Sequence, residues 1–344
     1  MTEKQWAILT EVIQGREIKP IPVGFIIDSP WLPNWYGINI LDYFSNDDLW
    51  FSANLKAIET FPEIIFLPGF WSEYGMCSEP SSFGSVCSLP LNQFPHAKKT
   101  LLSVDDISHM SRPDPETDGL TPLILNRLRI NRKRIEESGH RIYFSVSRGP
   151  LNIASYLMGV QEFLTGMILN PPEIHKLLAI ITDFLVDWHD LQRRTLPTID
   201  GILVLDDIVG FIGENEFSEF GLPYFKKIFD RDLKVKCFHN DADYRSSIRF
   251  LPEIGINLYN MGYETSLNDL WDLTGGKVTL MGNMPPRDVL AKGSRRDIET
   301  NLQELIGTLH QRSGILLSCG GGMPPQVPTE NLRVFVDTVN RLSK

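Results

Sequence analysis

The stretch Gly201-Ile-Leu-Val-Leu205, followed directly by Asp206 and Asp207, shows the pattern that decides the fold. It is a short, continuous apolar run that ends in polar residues. Runs of this kind are typical of parallel strands that are covered on both faces. Seven more runs occur along the chain, at residues 21–27, 63–67, 141–147, 235–238, 256–259, 278–281 and 315–318.

Amphipathic stretches with a helical period separate these runs. They cover residues 47–59, 123–137, 151–164, 173–194, 214–229, 244–252, 294–312 and 329–342. Eight strand-and-helix units in one chain predict an α/β fold, a (β/α)8 TIM barrel that forms a single domain over residues 1–344. We also expect a helical extension at the N-terminus and, between Pro68 and His140, an insertion after the second strand that lies over the barrel mouth.

An open, doubly wound sheet is the competing arrangement. A dinucleotide-binding sheet of that type carries a Gly-x-Gly-x-x-Gly sequence after its first strand. Here Ile27 leads instead into Asp28-Ser29-Pro30, which contains no glycine. This difference favours the barrel.

The chain is acidic, because 33 lysines and arginines against 43 aspartates and glutamates give a net charge of −10. This charge, without a basic cluster, does not favour binding to nucleic acid or to an anionic membrane surface. The apolar runs are far shorter than the roughly 18 residues of a membrane span, and residues 1–20 contain no signal-peptide pattern. We therefore expect a cytoplasmic protein with free thiols, although Cys77 and Cys87 are close enough in sequence for a local pair.

In a barrel of this type the chemistry lies at the carboxyl ends of the strands. The residues that follow the runs are Asp28, Gly69-Phe70-Trp71, Arg148-Gly149, Asp206-Asp207, His239-Asn240-Asp241, Asn260, Gly282-Asn283 and Cys319-Gly320-Gly321-Gly322. Among them, His239, Asp241 and Cys319 would supply one nitrogen, one carboxylate oxygen and one thiolate. Three protein ligands with an open fourth position are typical of catalytic zinc, and they predict a zinc site here. The alternative is a core histidine, a turn aspartate and a buried inert thiol.

The sequence offers further candidates for site residues. Asp206 and Asp207 could act as a ligand or a general acid, or alternatively cap the following loop. Aromatic residues near the first two strand ends form either the core of a lid or a flat apolar wall for an aromatic substrate or a corrin ring. With Asn283, the substrate-binding candidates are Trp31, Trp35, Tyr36, Phe70 and Trp71. Glu73 and Glu79 are expected in a solvated loop.

Five segments resemble the uroporphyrinogen decarboxylase superfamily, in particular its cobalamin-dependent methyltransferase branch. They are Gly149-Pro-Leu-Asn-Ile-Ala-Ser-Tyr-Leu-Met-Gly159, Pro171-Pro-Glu-Ile-His-Lys-Leu-Leu178, Asp206-Asp207 with Phe217-Ser-Glu-Phe-Gly-Leu-Pro-Tyr-Phe-Lys-Lys-Ile228, Gly282-Asn-Met-Pro-Pro286, and Gly320-Gly-Gly-Met-Pro-Pro-Gln-Val-Pro-Thr-Glu-Asn331. Each segment is short, but their order and spacing together are specific. The resemblance implies a (β/α)8 barrel, in agreement with the strand count.

The decarboxylases of this superfamily bind the carboxylates of their substrate with an N-terminal Arg-Gln-Ala-Gly-Arg-Tyr-Leu-Pro-Glu-Tyr segment. The similar stretch here, Ile27-Asp-Ser-Pro-Trp-Leu-Pro-Asn-Trp-Tyr36, lacks both arginines. An octa-carboxylate tetrapyrrole needs cationic partners at close range. The resemblance therefore does not extend to the decarboxylation of uroporphyrinogen.

The methyltransferase branch binds zinc through a His-x-Cys pair on the fifth unit and a cysteine on the eighth. His239 and Cys319 match this pattern, while Asp241 stands where the first cysteine is usual. A carboxylate in place of a thiolate leaves zinc a harder and stronger Lewis acid. Such a metal suits an ether oxygen better than a thiolate.

The resemblance thus implies a zinc-dependent methyltransferase, the first component of a corrinoid-dependent O-demethylase. The methyl group of a methoxy-aromatic compound would pass to the Co(I) corrinoid of a separate corrinoid-binding protein, because this chain has no Asp-x-His-x-x-Gly cobalamin signature. Asp206 or Asp207 would orient the substrate or protonate the leaving oxygen. The alternatives are a methylcobalamin:thiol methyltransferase, a decarboxylase with altered recognition, and a non-catalytic tetrapyrrole-binding barrel. A homodimer is left open.

Overall fold

The computed structural model describes residues 1–27 and 30–344, and eight parallel strands surround its centre. These strands are β1 Gly24–Ile26, β2 Ile65–Leu67, β3 Phe144–Arg148, β4 Gly201–Leu205, β5 Val235–Asn240, β6 Leu258–Met261, β7 Thr279–Met284 and β8 Ile315–Cys319. Each strand overlaps the run predicted for it, so the prediction of a (β/α)8 barrel is confirmed. Asp28, which was expected at the end of the first strand, lies outside the described residues.

The strands follow one another around the barrel in sequence order. β3 to β8 form one parallel sheet, and β1 pairs with β2 in parallel. A parallel bridge between Val23 and Leu317 joins β1 to β8. Among the residues that the structure describes, no ladder of hydrogen bonds joins β2 to β3.

The N-terminal segment fills this position between β2 and β3. Its helix Glu3–Ile13 confirms the predicted N-terminal extension. The Met1 amino group donates to the Arg141 carbonyl oxygen at 2.9 Å, on the β3 side. Gln5 Nε2 donates to the Ile64 carbonyl oxygen at 3.0 Å, on the β2 side. The first residues of the chain therefore close the ring where the strand ladder is interrupted.

Helices follow the strands and cover the outside of the barrel. Their bounds are Leu32–Tyr36, Ile40–Ser45, Asp47–Thr60, Thr121–Glu137, Pro150–Met158, Val160–Leu169, Pro171–Thr195, Glu214–Phe220, Leu222–Phe229, Leu251–Ile254, Leu267–Leu273, Arg295–Thr308 and Thr329–Leu342. Short single turns of 3-10 or π type lie at Ile208–Phe211, Ile248–Phe250 and Pro286–Ala291. In the described part of the chain, no helix has the length and apolar character needed to cross a membrane.

Two predicted helices are each divided in the structure. The pattern over residues 151–164 becomes two helices that meet at Gly159, whose φ of +99° is incompatible with a continuing helix. The pattern over residues 214–229 divides at Gly221, where Pro223 begins a new first turn. The helix expected over residues 244–252 is much shorter, because regular helix occurs only at Leu251–Ile254.

The insertion after β2 was expected between Pro68 and His140. It occupies residues 68–120, because the helix Thr121–Glu137 follows it. It contains the 3-10 turns Pro80–Phe83 and Val104–His109 and an antiparallel hairpin of Cys87–Ser88 with His96–Ala97. Met76 and Phe94 of this insertion line the cavity at the carboxyl ends of the strands. The insertion therefore covers part of the barrel mouth, as predicted.

One histidine is part of the packing between β3 and the helix Pro171–Thr195. His189 is fully buried, and its Nε2 and Nδ1 atoms lie 2.9 Å from the hydroxyl oxygens of Ser147 and Ser145. Burial lowers the pKa of His189 well below its usual value. The ring is therefore neutral when the protein is folded.

The low pKa of His189 predicts a loss of stability in mild acid. An unfolded histidine binds a proton below about pH 6.5 and the buried ring does not, so this part of the stability falls as the pH decreases. Between pH 6.5 and 5, the free energy of unfolding should fall by about 2 kcal/mol more in the wild type than in His189→Gln. Urea titrations across this range measure the difference. The exposed His109, changed to Gln, should follow the wild type, and equal pH slopes for His189→Gln and the wild type would contradict the assignment.

Candidate functional site

A cavity of about 450 Å³ opens at the carboxyl ends of the strands. Residues from the ends of β3, β4 and β5, from the loop after β8 and from the insertion share its lining. They include Arg148, Asp207, His239, Asp241, Gly320, Met323, Trp71, Glu73 and Met76. Apolar walls with a few polar groups are typical of small-molecule sites, and this is the face on which the sequence predicted the chemistry.

Three side chains at this cavity form a cluster of metal-ligand type. Asp207, His239 and Asp241 each offer one ligand atom, and these atoms all lie within 4.8 Å of one another. The distance between His239 Nε2 and Asp207 Oδ1 is 3.7 Å. Ligand atoms on a tetrahedral zinc are about 3.4 Å apart, because each lies about 2.1 Å from the metal. The donor set and its spacing therefore fit a zinc ion.

The hydrogen bonds around His239 determine which ring nitrogen faces the cluster. Asn260 Nδ2 donates to the Met281 carbonyl oxygen at 2.8 Å, so Asn260 Oδ1 is left to accept a hydrogen bond. That oxygen lies 2.7 Å from His239 Nδ1, which must carry the proton. In the neutral ring, Nε2 then carries the lone pair, and this atom faces Asp207. This is the tautomer that a metal-binding histidine needs.

Asp206 has a structural role. Its carboxyl group is fully buried, and Oδ2 accepts hydrogen bonds from the backbone amides of Leu151 and Asn152 at 2.9 and 3.1 Å. These amides belong to the first turn of the helix Pro150–Met158, so Asp206 binds that helix terminus. Burial raises the pKa of Asp206 well above its usual value. A Cβ at Gly149 would lie 2.3 Å from Oδ2, so only glycine allows this close approach.

Asp207 points away from the helix that Asp206 binds, and it lines the cavity. Its Oδ1 accepts a hydrogen bond from the Asp241 amide at 3.1 Å, which links the turns after β4 and β5. Burial raises the pKa of Asp207, while the neighbouring His239 lowers it and the Asp241 carboxylate raises it. Of the two adjacent aspartates, Asp207 is therefore the one that can contact a ligand.

Cys319 ends β8 and is fully buried. Its Sγ lies 3.7 Å from the Gly321 carbonyl oxygen and 3.8 Å from that of Gly322. Among the described residues, it does not belong to the group whose ligand atoms are all within 4.8 Å of one another. The loop that follows it nevertheless contacts the cluster, since a Cβ at Gly321, where φ is +75°, would lie 2.6 Å from Asp241 Oδ2.

The aromatic and amide candidates occupy different environments. Trp71 lines the cavity. Trp31 and Trp35 stack at 5.1 Å, and their indole nitrogens donate to the Val327 carbonyl oxygen and to Thr329 Oγ1. These two residues thus pack against the segment after β8.

The other candidates lie in the packing around the mouth. Phe70 stacks on Phe51 at 5.4 Å, and Tyr36 is half-buried against the core. Asn283 Nδ2 donates to the Thr265 carbonyl oxygen at 2.5 Å. None of these three is among the residues of the described chain that line the cavity. The packing of Phe70 and Tyr36 is that expected for the core of a lid.

A buried charged cluster lies beside the cavity, and the sequence did not predict it. Arg148 Nη2 binds Glu73 Oε2 at 2.6 Å, and the Arg148 amide donates to Glu79 Oε1 at 3.1 Å. Glu73 and Glu79 are 3% and 2% exposed, so the expectation of a solvated loop is wrong for both. Burial raises the pKa of Glu79. The arginine directly after the third apolar run was the available signal, because a buried guanidinium needs a carboxylate.

Tyr156 and Arg287 also line the cavity and were not among the predicted site residues. The Tyr156 hydroxyl makes no hydrogen bond to another described residue, and burial raises its pKa to about 12. Arg287 is exposed and forms no ion pair within the described residues. Both are therefore available to a ligand.

The family of the chain follows from comparison with known proteins. The family described as uroporphyrinogen decarboxylase (URO-D) matches residues 8–342. The chain therefore belongs to the uroporphyrinogen decarboxylase family. It is 25% identical over 279 residues to the uroporphyrinogen decarboxylase of Actinobacillus pleuropneumoniae serotype 5b, a match that covers 77% of this chain and 76% of that protein. The corresponding enzyme of Pectobacterium carotovorum is 26% identical over 279 residues with the same coverage, 77% and 76%.

Two solved structures are similar in fold. A methyltransferase from Methanosarcina mazei superposes with a TM-score of 0.81 at 18% identity and covers 98% of both chains. A B12-independent methionine synthase from Shewanella sp. W3-18-1, in complex with selenomethionine, gives a TM-score of 0.58 at 10% identity and covers 94% of this chain and 96% of that one. At these identities the likeness concerns the fold alone.

The Arg148–Glu73 pair predicts a large stability effect. Glu73→Gln leaves a buried guanidinium without its charged partner, and the free energy of unfolding should fall by about 3–5 kcal/mol. Urea unfolding followed by circular dichroism measures this change. The matched control is Glu162→Gln, whose pair with Lys99 has the same 2.6 Å separation but is exposed. Its effect should be far smaller, because water and salt screen an exposed pair. Similar effects of the two substitutions would show that burial of the pair does not matter.

Proposed function

We propose that this protein is a zinc-dependent methyltransferase that removes the methyl group from a methoxy-aromatic compound. The observation that carries the proposal is the cluster of Asp207, His239 and Asp241, with His239 Nε2 directed into it and Nδ1 held by Asn260. The proposal is also supported by the fold, which is shared with a protein named a methyltransferase. The acceptor would be the Co(I) corrinoid of a separate protein that docks at the barrel mouth.

Two of the zinc ligands predicted from the sequence, His239 and Asp241, are retained in this proposal. The distances favour Asp207 as the third ligand, in place of the predicted Cys319. One imidazole and two carboxylates form a hard donor set, and zinc held by it would polarise an ether oxygen as a Lewis acid. Asn260 fixes the imidazole, and the Asp241 amide fixes Asp207. Both ligands are thus oriented before the substrate arrives.

The residues around the cluster have complementary roles in this proposal. The indole of Trp71, with Met76 and Phe94 of the insertion, provides the apolar wall for the aromatic ring of the substrate. Tyr156 keeps its proton at neutral pH because its pKa is raised to about 12. With no hydrogen-bond partner among the described residues, its hydroxyl can donate to the leaving oxygen. Asp206, predicted as an alternative proton donor, instead holds the helix Pro150–Met158.

A decarboxylase is the second candidate, because curated relatives at about a quarter identity are uroporphyrinogen decarboxylases. Substrate recognition argues against it. Arg148 and Arg287 are the arginines that line the described cavity, and Arg148 is already paired with Glu73. An octa-carboxylate substrate needs more cationic partners than this cavity supplies. A decarboxylase would in addition retain its activity under chelation, whereas the proposed enzyme would lose it.

The proposed activity predicts that the metal and the methyl transfer disappear together. The wild type should contain stoichiometric zinc and form methylcobalamin from cob(I)alamin and at least one compound of a methoxy-aromatic panel. His239→Ala and Asp241→Asn should lose the zinc and reduce the rate by about 100-fold or more, because the Lewis acid is gone. Elemental analysis and the visible spectrum of the corrinoid measure the two effects.

The matched control is Asp232→Asn, which changes an exposed aspartate just before β5. Full rates in either ligand variant would exclude the mechanism.

The identity of the third ligand is a separate prediction. Asp207→Asn should lower the affinity for zinc by about 10–100-fold in competition with a chromophoric chelator, whereas Cys319→Ala should retain it. Substitution of zinc by Co(II) gives an independent measurement, because a thiolate ligand produces a charge-transfer absorption and a carboxylate does not. Such an absorption in the wild type, lost in Cys319→Ala, would identify Cys319 as the ligand and release Asp207 for proton transfer.

A further inference from the structure

Two cysteines of the insertion lie on backbone segments that are packed together. Cys77 and Cys87 are both free cysteines, and their side chains are close enough for each to influence the pKa of the other. Cys77 is fully buried, while Cys87 is half-buried and keeps access to solvent. The other two cysteines of the chain, Cys237 and Cys319, are both fully buried. The insertion thus holds a thiol pair of which one member can be reached by a small reagent.

Backbone hydrogen bonds bring the two thiols together. The turn that carries Cys77 is bound to the second half of the hairpin, because the Met76 amide donates to the Pro95 carbonyl oxygen at 3.2 Å. Cys87 stands on the first strand of the same hairpin and pairs with Ala97. The Lys98 amide donates to the Val86 carbonyl oxygen at 2.9 Å and extends this pairing. The proximity of the two cysteines is therefore a product of regular backbone structure.

The thiol pair is linked directly to the cavity wall. Met76, the neighbour of Cys77, and Phe94 of the hairpin both line the cavity. The two packed segments meet at Gly75, where φ is +57° and a Cβ would lie 3.0 Å from the Phe94 ring. A covalent bond between Cys77 and Cys87 would consequently fix two segments that contribute to one wall of the site.

We propose that Cys77 and Cys87 are a redox-sensitive pair, which a low-molecular-weight disulfide converts reversibly into an intramolecular disulfide that fixes the insertion over the barrel mouth. This inference does not depend on the reaction that the cavity catalyses. It adds a site of covalent modification outside the cluster of Asp207, His239 and Asp241.

The chemistry takes place in two exchange steps. The Cys87 thiolate attacks one sulfur of glutathione disulfide, and one glutathione leaves as its thiolate. Cys77 then gives up its proton to the solvent, and its sulfur displaces the second glutathione from Cys87. Two protein thiols are oxidised, one glutathione disulfide is reduced to two glutathione thiols, and the atoms and electrons balance. Cys87 is the attacking thiol because it keeps access to solvent while Cys77 is fully buried. The interaction between the two side chains acts in the same direction, since it lowers the pKa of Cys87 and raises that of Cys77.

The full-length protein tests the proposal directly. It is equilibrated with glutathione and glutathione disulfide at several ratios, alkylated, digested and examined by mass spectrometry. The expected product is a cross-link between the segments containing Cys77 and Cys87. It carries no alkyl group, is about 2 Da lighter than the unalkylated dithiol because two hydrogens are lost, and should disappear with dithiothreitol. Unmodified thiols, a stable mixed disulfide at Cys87, or a cross-link to Cys237 or Cys319 would each overturn the proposal.

Single substitutions assign the order of the two steps. Cys77→Ser should stop at a mixed disulfide between Cys87 and glutathione, and Cys87→Ser should remain unmodified at Cys77. Modification of Cys77 in the Cys87→Ser variant would contradict the assigned order of attack. Circular dichroism of both variants checks that they fold, and the wild-type cross-link decides the main proposal without them.

Hydrogen exchange tests the effect on the insertion. Amides within residues 73–97 should exchange more slowly in the oxidised protein than in the reduced one, while those of β4 to β6 should be unchanged. Equal exchange over residues 73–97 in the two forms would refute the fixing of the insertion.

Discussion

The register of three neighbouring strands determines the geometry of the candidate site. Leu205 of β4 pairs with His239 of β5, and His239 pairs with Asn260 of β6. Side chains at paired positions of parallel strands lie side by side, so the Asn260 amide reaches the imidazole. A shift of one residue in β6 would turn Asn260 to the other face of the sheet and leave the ring without its acceptor. The tautomer of His239, and with it the ability to bind a metal, depends on this register.

Buried polar side chains surround this imidazole at the cavity. Arg148 is paired with Glu73, and the Asp206 carboxyl group accepts hydrogen bonds from backbone amides of a helix terminus. Buried charges destabilise a fold unless they are paired, and each pair here joins different elements of the barrel mouth. The insertion, β3 and the first helical turn after β3 are therefore held in fixed relation by electrostatics as well as by apolar packing. This arrangement keeps the cavity walls in position.

The strand positions could be predicted because continuous apolar runs leave few alternatives for their structure. Local backbone conformation was harder to predict. The helix expected over residues 151–164 ends at Gly159 because its φ is positive, and a periodicity of apolar residues does not contain this information. The carboxyl ends of the strands were identified correctly as the site of polar residues, since parallel strands direct their termini to one face.

The roles of individual acidic residues could not be predicted for a different reason. Asp206 and Asp207 are adjacent, so they point in opposite directions, and only the packed helix Pro150–Met158 decides which one reaches the cavity. Glu73 is buried because of a guanidinium 75 positions away along the chain. The hydroxyl of Tyr156 is informative only because no described residue binds it. These are properties of tertiary contacts, which a single sequence does not encode locally.

The interrupted ladder between β2 and β3 divides the barrel wall into two mechanically different parts. The arc from β3 to β8, which carries Asp207, His239 and Asp241, is a continuous hydrogen-bonded sheet and resists deformation. On the β3 side, the described residues of the β1–β2 pair and its insertion adjoin that arc through the N-terminal segment and through side-chain pairs such as Glu73 with Arg148, in place of a strand ladder. One substitution can remove such a side-chain contact, whereas a backbone ladder does not depend on the identity of any single side chain. Mutations along this seam should therefore disturb the barrel wall more than mutations at matching positions of the arc that carries the cluster.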